Sequence, residues 1–287
     1  MDDRDDRLLP ATRALGAVII PFLCVAAVLL LLMPGDTKAT FAWQILPPLS
    51  AMLLGSAYVG GIWFFAWVVL ETHWHRVWPG FPAVVVFAAL LGVATMLHLD
   101  RFTYGHVSFI AWVVLYAVTP FAVAVVLVVN RRRDDGRPEQ VDAVIPRPWA
   151  IALAAVGGAA TVIGLVLFAM PSLLQVTWGW TLTPLTARVT GAVLTLPGLV
   201  NVWMLYDRRW SSFRWVVQAQ IASVATMLVS IAVRAEDVRW ERPSATGFVV
   251  MLAGAAIAYV VLSVRMERAR RASRDVAGSP QRGSRAR

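Results

Sequence analysis

Eight long apolar runs occupy most of the chain and restrict what it can fold into. They lie at approximately 14–33, 47–70, 80–98, 107–130, 149–170, 184–206, 215–234 and 246–265. A helix needs about 20 apolar residues to cross a bilayer core, so the runs predict an all-α integral membrane protein with eight transmembrane helices. The first run lacks a small-x-small cleavage pattern before Pro34, and we interpret it as a retained helix rather than a signal peptide.

The composition excludes an ordinary soluble domain. Charged residues make up 15% of the chain, against about 25% in soluble domains. The one cysteine, Cys24, lies inside the first apolar run, so no intrachain disulfide or cysteine metal cluster is expected. The net charge of +9 comes from arginines at the ends of apolar runs, where anionic headgroups attract them. Membrane lipids and a small solute, rather than nucleic acid, are the expected partners.

The distribution of Lys and Arg predicts the orientation of the spans. With both termini in the cytoplasm, inside segments contain 20 of the 26 Lys and Arg residues and outside loops contain five. The predicted location is a bacterial plasma membrane. The predicted plan is a cytoplasmic N-terminus (1–13), a four-helix membrane unit (14–130), a cytoplasmic linker (131–148), a second four-helix unit (149–265) and a disordered basic cytoplasmic tail (266–287).

The two units resemble each other in sequence. Pairs separated by 136 or 137 positions are Met33-Pro34 with Met170-Pro171, Trp43 with Trp180, Glu71 with Asp207, and Trp74 with Trp210. The pentapeptide Val-Ala-Thr-Met-Leu at 93–97 also recurs at 224–228. Their common order and nearly constant shift predict an internal repeat. Because each unit has an even number of spans, we expect parallel repeats related by a pseudo-twofold axis along the membrane normal.

Several tryptophans fall at predicted span edges, where indole rings prefer the headgroup level. Among them are Trp43, Trp74, Trp180 and Trp210. Others, including Trp67 and Trp203, lie within spans and are interpreted as packing or lipid contacts.

The second span of each unit contains helix-weakening residues at one depth. Gly60-Gly61 falls opposite Leu196-Pro197, and paired interruptions in two halves indicate a transporter site near the midplane. Close helix packing through small residues is the alternative. Asn201, one turn beyond Pro197, joins the candidate substrate site. Its amide, like those of Gln218 and Gln220 in the seventh span, could instead form a hydrogen bond between helices. At the start of this second span, Thr183 is expected to cap the helix.

Arg188 is the one cation well inside a span, and such a charge is a functional candidate. We consider it an anion contact of the substrate site. The alternative is that its side chain snorkels or pairs with Glu236, Asp237 or Glu241 in the following outer loop.

Glu71 and Asp207 occupy equivalent positions at the inner ends of spans. A carboxylate there opposes the helix dipole, so we expect an ion pair with Arg76, Arg208 or Arg209. Proton coupling is the alternative role.

Catalytic and cofactor signatures are missing from the sequence. The four histidines, His73, His75, His98 and His106, lie at helix ends without accompanying metal motifs. No Ser-His-Asp arrangement, Walker loop, GxGxxG or HExxH occurs. No catalytic residue, metal or cofactor is predicted, and enzymatic activity is not expected.

The stretch from Trp180 to Arg188 reads Trp-Thr-Leu-Thr-Pro-Leu-Thr-Ala-Arg. With Met170-Pro171 before it, this stretch resembles a WxLTPLTAR motif in uncharacterised multi-pass membrane proteins of actinobacterial type. The resemblance covers the second unit; the first, which has Met52 at the arginine position, follows it only in outline. The resemblance implies membrane residence and no particular activity.

These features favour a small-solute or lipid-related transporter or permease-like protein. Its site is expected between the two units. A non-catalytic structural or assembly subunit of the membrane is the alternative. An intramembrane redox or lipid-modifying enzyme is a third class, which would need bound haem or a polar catalytic cavity. A cavity between the halves would favour transport, whereas a dry, packed seam would favour the structural subunit.

Overall fold

The computed structural model describes residues 5–132, 134 and 142–278, with side chains described as far as residue 273. Eight helices in this part of the chain are long and apolar enough to cross a membrane. They are α1 (Pro10–Leu32), α2 (Pro48–Leu70), α3 (Gly80–Leu97), α4 (Val107–Arg131), α5 (Arg147–Ala169), α6 (Pro184–Asn201, extended by a 3-10 turn over Val202–Leu205), α7 (Trp210–Val233) and α8 (Pro243–Gly278). The predicted all-α membrane fold with eight spans is confirmed.

The last helix is longer than predicted. α8 continues to Gly278 instead of ending near 265. Met266 is buried, and the Glu267 carboxylate accepts a hydrogen bond from Trp210 Nε1 at 2.9 Å and pairs with Arg214 Nε at 2.7 Å. These contacts with α7 hold the extra turns in place. Residues 279–287 of the predicted tail, and 133 and 135–141 of the predicted linker, lie outside the described residues.

Two pairs of packed helices correspond between the groups of four, and α1 also contacts α4 in the first group. α1 packs along α2 and α5 along α6, while α3 contacts α4 and α7 contacts α8. The first half (α1–α4) joins the second (α5–α8) through α2 with α7, α3 with α6, and α2 with α6. α2 and α6 are the most buried spans and α8 is the least buried. Any site between the halves is therefore built mainly on α2, α3, α6 and α7.

The segments before α1 and α5 are fixed at one end of the bundle, which we call the basic end. Trp74 N donates to Asp6 O at 2.9 Å, and Trp210 N donates to Ala143 O at 2.8 Å. Backbone bridges join Arg7 to His73 in the first half and Val144 to Arg209 in the second. Each segment thus closes over the loop that follows the second helix of its own half. The loops 33–47, 98–106, 170–183 and 234–242 form the opposite end.

Four tryptophans predicted at span edges lie at the ends of spans, but they are buried in the protein. Trp43, Trp74, Trp180 and Trp210 are each at most 2% exposed. At the opposite end, the Trp43 ring packs against Phe102 and Trp112 with centroid distances of 5.2 and 4.7 Å. Loops fold over these rings, so the indoles pack within the protein instead of reaching the bilayer interface.

The two Val-Ala-Thr-Met-Leu pentapeptides do not occupy equivalent positions. The residues that follow α3 and α7, His98 and Arg234, are separated by 136, as are the 3-10 turns Leu99–Arg101 and Ala235–Asp237. This register pairs Val93 with Val229 rather than with Val224. The pentapeptide match at a shift of 131 therefore does not follow this register.

Candidate functional site

The two central helices begin in different ways at the opposite end. Thr183 Oγ1 accepts from Thr186 N at 3.2 Å, so the predicted cap of α6 is confirmed. α2 has no side-chain cap of its own. Instead, Leu49 N donates to Asp237 Oδ2 at 3.0 Å, from the turn after α7. This carboxylate suits the positive end of the α2 dipole and links the two halves.

Neither central helix is interrupted at the predicted point. α2 runs without a break through Gly60-Gly61, and α6 runs through Pro197. A Cβ atom on Gly60 would lie 2.9 Å from the Ala219 carbonyl oxygen and 3.0 Å from Ser223 Cβ. The missing side chain therefore lets the backbones of α2 and α7 approach closely. This is the packing role that was the alternative for Gly60.

Glycines also bring α5 against α6. A Cβ on Gly198 would collide with Thr161 Oγ1 and with the Gly157 carbonyl, and a Cβ on Gly191 would collide with the Gly164 carbonyl. α6 is thus held tightly on its α5 side. Its other side, which carries Pro197, faces the first half.

A cavity of about 180 Å³ lies between the halves. α2 and α6 contribute positions that are 136 apart: Ala57 and Val193, Tyr58 and Leu194, Gly60 and Leu196, Gly61 and Pro197, Phe64 and Val200. α3 and α7 do the same, for example through Ala83 and Ala219. The wall therefore brings together Gly60, Gly61 and Pro197, three of the predicted substrate residues. None of the lining residues in the described part of the chain is charged.

A few polar groups interrupt the apolar wall. The hydroxyls of Tyr58 on α2 and Tyr116 on α4 lie 2.7 Å apart and share a hydrogen bond. Across the cavity, α7 contributes Gln220 and Ser223. Apolar surface with a few placed polar groups is typical of sites for small organic ligands.

Asn201 is buried behind the wall rather than on it. Its Nδ2 donates to Leu153 O at 3.2 Å and to Tyr259 Oη at 2.7 Å, and its Oδ1 accepts from Gln220 Nε2 at 3.3 Å. The amide thereby joins α6 to α5, α7 and α8. This is the interhelical role considered as the alternative for Asn201.

Arg188 lies at the opposite end, away from the cavity wall. Its Nη1 contacts His98 Nε2 at 2.7 Å. Burial, and then the charge of Arg188, lower the pKa of His98, which favours a neutral ring that accepts from the guanidinium. The acids considered as partners are not bonded to Arg188: Glu236 and Asp237 both pair with Arg234 at 3.1 Å, since that arginine lies in the same turn.

Glu71 and Asp207 are ion-paired at the basic end. Glu71 Oε2 lies 3.0 Å from Arg76 Nη1, and Asp207 Oδ2 lies 2.9 Å from Arg209 Nη2. Burial opposes ionisation of Asp207, but the hydrogen bonds from Arg209 outweigh it and lower the pKa of this carboxyl. Arg208, the third expected partner, is exposed and not bonded to either carboxylate.

Glu71 also connects the halves, because its Oε1 accepts from Trp215 Nε1 at 2.6 Å. The Trp215 ring stacks on Trp67 at 3.3 Å between centroids, and Trp203 meets Trp78 edge-on at 5.2 Å. Trp67 and Trp203 are 136 apart in the chain, so the two aromatic contacts occupy corresponding places. Both tryptophans pack between the halves.

The interhelical hydrogen bond expected of Gln220 is the one it donates to Asn201. Sequence reasoning missed Tyr58, Tyr116 and His98 as members of these sites. Their polar atoms point between helices that are distant in the chain, and nothing in local sequence indicates such pairings. Among the described residues, no group of three His, Cys, Asp or Glu side chains is placed to hold a metal ion.

Comparison with protein-family models, with curated proteins and with solved structures gives no match for this chain.

Proposed function

We propose that this membrane protein is a transporter or permease-like carrier of a small apolar or amphiphilic solute. The observation that carries the proposal is the cavity of about 180 Å³ between the halves, whose wall uses corresponding positions of α2 and α6. Transporter sites lie at the interface between structural repeats, near mid-membrane. The uncharged lining favours an apolar or amphiphilic solute over an ion.

The proposal includes two parallel four-helix repeats. Three sets of observations support it: the constant shift of 136 or 137, the corresponding helix contacts, and the paired bridges at the basic end. Arg188 is left outside the solute site, because it does not line the cavity. The non-catalytic structural subunit remains the competing function, and a cavity closed to small molecules would favour it.

Cysteine labelling tests whether the cavity is accessible. Cys24 is the only cysteine, so Cys24→Ala provides a cysteine-free background for Ser223→Cys on the cavity wall. Thr195→Cys is the matched control, since Thr195 is fully buried on α6 and does not line the cavity. In proteoliposomes, N-ethylmaleimide should modify the thiol at 223 at least tenfold faster than the thiol at 195. Equal, slow reaction at both positions would overturn the proposal in favour of the structural subunit.

We further propose that the protein lies in a bacterial plasma membrane with its basic end in the cytoplasm, since Lys and Arg are retained on that side. In the same background, Thr103→Cys places a thiol at the opposite end and Ser273→Cys places one at the basic end; both native residues are exposed. A membrane-impermeant maleimide added to intact cells should label the first variant at once and the second only after permeabilisation. The reverse pattern would refute this orientation.

A further inference from the structure

A groove of about 400 Å³ lies at the basic end, between the start of α5 and the end of α6. Its lining residues are Arg147, Ala150, Ile151, Leu205 and Arg208, and all of them except Ala150 are exposed. None of them lines the cavity between the halves. The groove is therefore separate from the proposed solute site.

Backbone contacts fix the two arginines beside the same groove. Ile145, two residues before Arg147, donates its N–H to Arg208 O at 2.8 Å. Val144 forms a backbone bridge with Arg209, and α5 packs along the 3-10 turn that extends α6. The chain that enters α5 and the chain that leaves α6 are thus held against each other, with a cation on each.

Neither arginine uses its charge within the described part of the protein. The side chains of Arg147 and Arg208 form no hydrogen bond or ion pair with another described residue. Asp207, the carboxylate adjacent in sequence, is held by Arg209 and Ser212 instead. Because the two guanidinium groups are exposed and unbonded, both are free to turn toward an anion in the groove.

The groove combines this charge with apolar surface. α5 begins here without a side-chain cap, so the positive end of its dipole adds to the charge of the arginines. One turn further into the spans, Ile151 and Leu205 are 51% and 46% exposed. An anion with attached acyl chains matches both parts of the groove, whereas a free phosphate would use the cations alone.

The first half lacks the two cations. The residues 136 positions before Arg147 and Arg208 are Ala11 and Thr72. The arrangement therefore belongs to the second half alone and is not required by the packing that the halves share.

We propose that this groove binds the headgroup of an anionic phospholipid from the leaflet at the basic end. The Arg147 and Arg208 guanidinium groups donate to phosphate oxygens, and Ile151 and Leu205 contact the adjoining acyl chains. Basic pockets between transmembrane helices recognise such headgroups. The proposal goes beyond a general attraction of terminal arginines to the membrane surface, because it assigns one bound lipid to two residues.

Native mass spectrometry of the full chain in detergent micelles tests the proposal. The protein is titrated with phosphatidylglycerol or with phosphatidylcholine that has the same acyl chains. The Kd of the first bound phosphatidylglycerol should be about tenfold lower than that of phosphatidylcholine, because its headgroup has no cation of its own. Equal affinity for the two lipids would overturn the proposal.

Removal of the two charges tests the assignment to Arg147 and Arg208. Arg147→Gln/Arg208→Gln should weaken phosphatidylglycerol binding about tenfold, to the level of phosphatidylcholine. Arg265→Gln/Arg268→Gln is the matched control, since it removes the same charge from exposed positions of α8 at the same end, and it should change the Kd by less than about twofold. Thermal unfolding checks that each variant is folded. If Arg147→Gln/Arg208→Gln does not fold, the comparison of the two lipids in the wild-type protein still decides.

Two further outcomes would contradict the proposal. Equal weakening by both double variants would mean that net charge attracts the lipid and that the groove is not a site. Glycerol 3-phosphate, which has the phosphate without acyl chains, should fail to displace phosphatidylglycerol at about a hundredfold excess, since it lacks the apolar contacts. Complete displacement would show that the groove takes a free phosphate instead of a lipid.

Discussion

The two halves share two helix pairings but differ on the cavity wall. The first half contributes aromatic rings, whereas the residues 136 positions later are smaller: Tyr58 and Leu194, Phe64 and Val200, Phe87 and Ser223, Tyr116 and Leu252. The residue that corresponds to the apolar Val84 is the polar Gln220. The first half thus supplies aromatic side chains, and the second supplies smaller apolar side chains together with Gln220 and Ser223. The two halves frame the cavity with corresponding helices, while the chemistry of its wall depends on the positions where the halves differ.

The halves also differ in how their first two helices pack. α5 and α6 meet through Gly157, Gly164, Gly191 and Gly198. In the first half, the position corresponding to Gly198 is Ile62, so α1 and α2 are separated by side chains there. Gly55, which corresponds to Gly191, packs against the Leu31 side chain, where a Cβ would lie 2.9 Å from Leu31 Cγ. The same pairing of helices therefore uses backbone contacts in the second half and side-chain contacts in the first.

Gly198→Ala should have the largest effect of the variants considered, because its methyl group would collide with the α5 backbone. Overpacking destabilises a protein by about 1–3 kcal/mol. Because the added methyl group would meet backbone atoms, we expect the free energy of unfolding to fall by about 3 kcal/mol. The loss is measured as the free energy of unfolding in detergent, followed by tryptophan fluorescence. Gly158 lies on α5 beside Gly157, and a Cβ atom added to it would have no atom within 4 Å. Gly158→Ala should therefore be neutral or stabilising by up to about 1 kcal/mol. Equal stability of both variants would contradict a glycine-dependent contact.

The two ion-paired carboxylates at the basic end have different hydrogen-bond partners. Glu71 bonds across the halves to Trp215, whereas Asp207 bonds to Arg209 and Ser212 in its own half. Asp207→Asn should lower the free energy of unfolding by about 2 kcal/mol at pH 7, because hydrogen bonds to a charged group are lost. The exposed pair of Asp100 with Arg101 gives the control: Asp100→Asn should change stability by less than about 0.5 kcal/mol.

The pH dependence of this effect has a definite sign. The pKa of Asp207 lies below its ordinary value of 3.8 in the folded protein, so its stabilisation is present above pH 3.8 and is lost as the pH falls toward the folded pKa. The stability gap between wild type and Asp207→Asn should therefore narrow below pH 3.8. A gap that stays constant or widens in acid would rule out a charged, hydrogen-bonded Asp207.

The spans were predictable from the sequence because a bilayer imposes length and apolarity on every crossing helix. The site was predictable only in part. Gly60, Gly61 and Pro197 reach the wall because paired small and helix-weakening residues mark the depth at which the halves approach. Tyr58 and Tyr116 were missed, since their role depends on partners brought together by tertiary packing. Gln220 was recognised as an embedded polar residue, but its partner Asn201 could not be predicted. The burial of the four span-end tryptophans was missed for a related reason, because the preference of an indole for an interface does not reveal that loops cover it.

The tyrosine pair tests whether the aromatic half is held by a specific hydrogen bond. Tyr58→Phe should destabilise the protein by about 1–2 kcal/mol, since the Tyr116 hydroxyl is left buried and unpaired. The double variant Tyr58→Phe/Tyr116→Phe should recover most of that loss, because neither partner then remains. Tyr206→Phe, at an exposed tyrosine, should have no effect on the unfolding curve. Additive losses in the double variant would mean that the two hydroxyls act separately.

Arg188→Met gives the second half the residue that the first half has at Met52, and its effect should be the smallest. Burial and the positive charge of Arg188 lower the pKa of His98, so removing the charge should move that pKa upward. The chain has four histidines, and their ring signals can be followed by NMR titration in micelles, with His98→Gln to assign the resonance. Arg101→Met serves as control, because Arg101 is exposed and already paired with Asp100 at 2.9 Å, and it should shift His98 less. An unchanged or lower pKa of His98 in Arg188→Met would show that the guanidinium does not act on this ring. The two halves would then differ at the opposite end in the shape of their side chains and not in their electrostatics.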